Sequence, residues 1–99
     1  MKNTDIIGFK EAFIESESFY RRIYSEYPFS IYQKSTPGQY GVTFTIIHRY
    51  KIMDDMAETH YDGYTKFSYA YRAMRKKIAD MHRLEQKRLK EILKEKQNA

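Results

Sequence analysis

Apolar residues in the first part of the chain recur every three to four positions: Ile6, Phe9, Phe13, Tyr20, Ile23, Tyr24 and Tyr27, up to Pro28. Thr4 followed by Asp5 is a capping pattern at the start and Pro28 is a stop, so the spacing predicts an N-terminal amphipathic helix. Its weakest stretch is Glu15-Ser16-Glu17-Ser18, where two cap-favouring serines would split it into shorter helices.

After Pro28 the period changes to two. Phe29, Ile31 and Gln33 alternate with Ser30, Tyr32 and Lys34, and Val42, Phe44, Ile46, His48, Tyr50 and Ile52 alternate with Thr43, Thr45, Ile47, Arg49 and Lys51. Two strands are predicted, over about 29–35 and 40–52. Pro37-Gly38 between them suits the centre of a turn, because Pro presets φ and Gly accepts a positive φ. Placing Phe29 opposite Ile46, Ile31 opposite Phe44 and Gln33 opposite Val42 puts both apolar sets on one face. Phe44→Ala is then expected to cost about 3–5 kcal/mol as a core truncation. A lone hairpin is marginal, so this face must lie against helices, and the stretch from Ile47 to Ile52 needs a further partner or a turn.

Asp54 or Asp55, with Glu58 three residues after Asp55, resembles a capping box opening a short helical stretch that Asp62-Gly63 would break. Thr65 suits the cap of the next element, although Thr65, Phe67, Tyr69 and Tyr71 also fit a third strand. From about Lys66 to Lys96 the period is helical, with Phe67, Tyr71, Met74, Ile78, Met81, Leu89 and Ile92 on one stripe and no Gly or Pro between them. Some 30 residues at 1.5 Å each span roughly 45 Å, longer than so small a domain is wide. The distal part, residues 85–99, therefore projects as a tail, frays, or packs against a second copy. Leu84, Leu89, Ile92 and Leu93 would be the homodimer contact.

The expected fold is thus α+β, a single domain over 1–99: an N-terminal helix, a hairpin, a short acidic helical stretch and a long basic C-terminal helix, with both long helices covering the hairpin. A chain of 99 residues leaves no room for a second independent domain. It has no cysteine, which excludes disulfides, thiolate zinc sites and thiol catalysis and fits a reducing compartment, with the cytoplasm as default. The N-terminal stretch has no apolar run of signal-peptide or membrane-span length, so no secretion or membrane insertion is expected. Leu, Ile, Val and Phe supply only 20 residues while Tyr supplies ten, so tyrosines must serve the core boundary or an interface.

Charge is divided unevenly. Residues 1–71 hold eight Lys+Arg and nine Asp+Glu, net −1, whereas residues 72–99 hold ten and four, net +6. Within the last helix Arg72, Lys76, Arg83, Lys87, Lys90 and Lys94 fall in an arc of roughly 60° opposite the apolar stripe, a ridge about 33 Å long. Such a ridge suits phosphates on a duplex or folded RNA but carries no base-reading code, and a plain solvated face explains the same pattern. The outer hairpin face, with Tyr32, Lys34, Thr43, Thr45, Arg49 and Lys51, combines an aromatic with cations as single-strand binders do, although ordinary polar alternation does the same.

Candidate chemistry is sparse. Asp54, Asp55, Glu58, His60 and Asp62 have oxygen-ligand density for a divalent ion but match no EF-hand or H-E-x-x-H pattern, and helix N-terminal acids explain them equally. His48, His60 and His82 lack ligand spacing. No nucleophile elbow or glycine-rich phosphate loop is present, so neither an enzyme nor a cofactor or metal is expected. The leading expectation is a non-enzymatic protein that binds nucleic acid, DNA or RNA, or a nucleic-acid-processing protein, through the basic helix. The alternative is a small inhibitor of a host protein, of the kind phages and mobile elements use, contacting its partner through Tyr32, Tyr64 and Tyr69, since ten tyrosines and five methionines suit an adaptable interface.

Overall fold

The computed structural model describes residues 8–97, and Thr4 and Ile6 of the expected first helix lie outside them. Five strands, β1 (Ala12–Glu15), β2 (Ser18–Glu26), β3 (Phe29–Ser35), β4 (Thr43–Ile52) and β5 (Asp55–Tyr64), precede one helix, α1 (Phe67–Gln97). They form an antiparallel meander in the order β1-β2-β3-β4-β5.

The expected N-terminal helix does not form; its span is a β-hairpin. Ser16 (φ 52°) and Glu17 (φ 66°) occupy the two turn positions between β1 and β2, at the stretch where the helical pattern was weakest. The helical spacing of Tyr20, Ile23 and Tyr24 comes from a β-bulge. The β2–β3 register shifts between Arg22 and Tyr24, so Ile23 is the extra residue. Tyr20 therefore packs with Tyr32 and Ile47 on one face of the sheet, while Tyr24 packs against Phe29 and Ile31 on the other.

The β3–β4 hairpin keeps its predicted faces but slides by two residues. Phe29 pairs with His48, Ile31 with Ile46 and Gln33 with Phe44. Gln39 N–H donates to Thr36 C=O at 3.1 Å across Pro37-Gly38, with Gly38 at φ 85°, so the turn forms as expected. The chain continues through Gly41 (φ 76°) before pairing starts, and this longer loop accounts for the shift. Phe44 is left only partly buried, whereas Phe29 is 1% exposed.

The expected acidic helical stretch is also a strand. Met53 (φ 55°) and Asp54 form the turn and β5 runs from Asp55, pairing Arg49 with Glu58 and Ile47 with His60. A second bulge lies opposite Thr45, between the pairs Phe44/Tyr64 and Ile46/Tyr61, with Gly63 at φ 94°. It allows Tyr61 and Tyr64, three residues apart, to face the same side, toward α1. Thr45 Oγ1 donates to Asp62 Oδ1 at 2.7 Å within the bulge.

α1 forms where the helical period predicts it, which excludes the third-strand reading of residues 67–71. Only Ala70, Met74 and Ile78 are buried along its length, against Phe29, Ile31 and Ile46 of the sheet. Arg75 Nη1 donates to Glu26 Oε2 at 2.6 Å, tying α1 to the end of β2 and holding the Glu26 carboxyl below its ordinary range. The opposite face is covered by the segment leading into β1, not by a second helix. Phe9 and Phe13 lie on Tyr20, Tyr32 and Ile47, and Phe13 stacks on Tyr20 with ring centroids 4.6 Å apart. Every described residue from Met81 onward is exposed, and the protein measures 62 × 27 × 27 Å. The last 17 residues of α1, Met81–Gln97, thus form an arm about 25 Å long, in which Met81 at the root still lines a cavity with Phe29, His48 and Tyr61 and the remainder stands clear of the body.

Candidate functional site

The arm arises because helical propensity outlasts the packing surface. Strong helix formers fill positions 83–97, yet the sheet is wide enough to cover only the first three turns or so of the apolar stripe. Past Ile78 the stripe continues into solvent, with Met81 38%, Leu84 63%, Leu89 46%, Ile92 43% and Leu93 59% exposed.

Arg72, Lys76, Arg83, Lys87, Lys90 and Lys94 all lie in α1, and all six are exposed. Arg72 and Lys76 sit on the outer side of the part that packs on the sheet, and the other four are on the arm. Among the described residues only Arg83 of this set has a carboxylate partner, Asp80 Oδ1 at 2.9 Å. That pair is solvent-exposed and constrains Arg83 little. The remaining five charges are available to counter-anions, and no helix of the described residues is long and apolar enough to cross a membrane.

The three tyrosines assigned to a partner have different surroundings. Tyr32 is 1% exposed and donates its hydroxyl to Lys10 C=O at 2.6 Å beneath the N-terminal segment, and burial pushes its phenol up to about 12. Tyr64 is partly buried against the core under α1. Tyr69 alone of the three is exposed, at 45%, with Lys66 Nζ 5.6 Å from its ring centroid. The outer hairpin face does not form an open platform either, since Thr45 is fully buried and Arg49 lies under Gly8.

Glu58 and His60, grouped by sequence as part of an acidic cluster, are brought together with Arg49 on the face opposite α1. There the sheet curls enough for Phe13, Ile14 and Glu15 of β1 to line the same cavity, about 280 Å³, as Arg49, Glu58 and His60 of β4 and β5. Arg49 Nη1 donates to Glu58 Oε2 at 2.6 Å, and the other carboxylate oxygen lies 3.1 Å from His60 Nε2. The signal for it was cross-strand pairing of Arg49 with Glu58, which is legible only once β5 is recognised as a strand. Glu58 is thus shared between the Arg49 guanidinium and the His60 ring, one carboxylate oxygen to each. Asp54 and Asp55 lie at the turn instead, and among the described residues no group of three or more His, Asp or Glu is placed to hold a metal ion.

His48 is stacked on Phe29, centroids 4.3 Å apart, beside Lys77 and Asp80. Burial first, and then the charge of Lys77, lowers its pKa below 6.5. His82 is on the exposed arm. Comparison with protein-family models, curated proteins and solved structures finds no match to this chain.

Proposed function

We propose that this protein is a non-enzymatic binding protein that engages nucleic acid through the basic ridge of α1. The observation that supports the reading is the exposed ridge of α1: six cations spaced over about 33 Å, four of them on the free arm, and all but Arg83 without a carboxylate partner among the described residues. Five unpaired charges would release about that many counterions on a duplex, giving a log–log salt slope of about −4 to −5 and a few-hundred-fold loss of affinity between about 50 and 200 mM salt. The ridge has only Lys and Arg, which position a phosphate backbone and read no sequence, so similar affinity for duplexes of different sequence is expected.

Fluorescence anisotropy with a labelled duplex, a single strand and a hairpin RNA tests this. Simultaneous charge reversal of Lys76, Arg83, Lys87 and Lys90 should abolish binding while leaving the circular-dichroism spectrum and melting temperature close to wild type. Absence of salt-sensitive binding to all three probes refutes the reading. A partner protein retained from nuclease-treated lysate at high salt, and kept by the charge-reversed variant, replaces it with an inhibitor or adaptor role.

A further inference from the structure

We infer that the arm pairs with the arm of a second copy of this chain, antiparallel, along the seam formed by Met81, Glu85, Arg88 and Ile92. These four recur at intervals of four, three and four, the spacing of one helix face that meets another, and all four are exposed. Leu84 and Leu89 flank the seam on its two sides, 63% and 46% exposed, so the strip is apolar at its ends and margins and charged only at its centre. A nucleic acid held on the ridge leaves this strip bare, because ridge and seam lie on opposite sides of the helix.

The two central charges specify both the occupant and its direction. In a parallel pair Glu85 would meet Glu85 and Arg88 would meet Arg88, two like-charge layers that oppose association. In an antiparallel pair Glu85 of each copy meets Arg88 of the other, so two ion pairs form, and Met81 of each copy meets Ile92 of the other on either side of them. One helix thus carries its own complement, which is the condition for a two-fold, self-complementary contact.

The body sets the limits of this pairing. Antiparallel alignment brings Lys94 of one arm opposite Ala79 of the other, and immediately beyond Ala79 the seam of α1 is already occupied, with Ile78, Met74 and Ala70 buried against the sheet. The paired stretch therefore ends where the free seam ends. Arg83, Lys87, Lys90 and Lys94 point outward from both copies, so the dimer presents two ridges on opposite sides. The pairing does not depend on nucleic-acid binding and is tested without it.

The chain has no cysteine, so single substitutions report contacts without background. Met81→Cys and Ile92→Cys chains, purified separately, should give little disulfide-linked dimer under mild oxidation when alone and a cross-linked heterodimer when mixed. Dominant cross-linking of Met81→Cys alone overturns the antiparallel register, and no enrichment in the mixture overturns the seam. Sedimentation equilibrium of the wild type at high micromolar concentration should show self-association, weakened at least roughly tenfold by Glu85→Arg and recovered by combining it with Arg88→Glu. A wild type that remains monomeric throughout that range refutes the proposal.

Discussion

Ending the chain after His82 isolates the arm from the fold. The deletion removes the last 15 residues of α1, Arg83–Gln97, together with the two residues beyond, but no side chain that the body buries. Among the described residues its one ion pair with the retained chain is Arg83 with Asp80, exposed and of little energetic weight. Exposed helical residues that rest on nothing contribute little each, because propagation is near neutral in water once a helix exists. The expected loss in urea unfolding is under about 1 kcal/mol. Met74→Ala, which deletes a fully buried side chain where α1 crosses β3 and β4, should by contrast cost about 2–5 kcal/mol. Far-ultraviolet circular dichroism should lose helical signal in proportion to the removed turns, with the sheet contribution unchanged. Unfolding should be followed at low micromolar concentration, where self-association does not add to stability. A loss above about 2 kcal/mol under those conditions would show that the arm packs on the body, and the free ridge and free seam would both fall with it.

Other substitutions probe the body. Phe29→Ala should cost about 3–5 kcal/mol and Phe44→Ala about 1–3, because Phe29 is sealed between α1 and the stacked His48 ring while Phe44 sits at the partly open end of the core; equilibrium unfolding that reverses this order refutes the observed register. Gly8→Ala should destabilise by roughly 1–3 kcal/mol, since φ is +80° and the added Cβ would lie 2.5 Å from the Arg49 guanidinium carbon; an unchanged melting temperature would mean that Gly8 does not rest on Arg49. For His48 the folded pKa lies below the unfolded 6.5, so the unfolded chain takes up the proton first. Its contribution is complete above about pH 6.5 and is lost as the pH falls through the folded value, and His48→Phe should remove this component from melting curves at about pH 7.5 and 5.5.

Residues 12–27 show how a sheet imitates a helix. The bulge at Ile23 sends Tyr20 and Tyr24 to opposite faces, and together with the exposed Ile23 and Tyr27 they show three-to-four spacing without any helical backbone. The turns that would have announced the strands lack the usual signature. Ser16, Glu17 and Met53 take positive φ where glycine or asparagine is expected, whereas Pro28 and Pro37-Gly38 mark the turns on either side of β3 in the sequence itself. In β5 the polar residues Glu58 and His60 face a cavity rather than open solvent, which blurred the alternation and left the acidic residues resembling a helix cap.

The ridge and the tyrosines differ in what had to be known to place them. A helix of strong formers arranges its own charges whatever lies nearby, so the six cations of α1 were located by the 3.6-residue period alone, and failure to predict the sheet did not move them. Tyr32 needed tertiary knowledge: alternation placed it away from α1, but only the path of residues 8–14 across the concave face shows that this second face is covered. The same distinction explains the arm. Periodicity revealed an apolar stripe longer than any body of this size could cover, and the narrow curled sheet, invisible in that stripe, determines that coverage ends at Ile78. Beyond Met81 the helix therefore has a basic side and an apolar side that the fold leaves exposed.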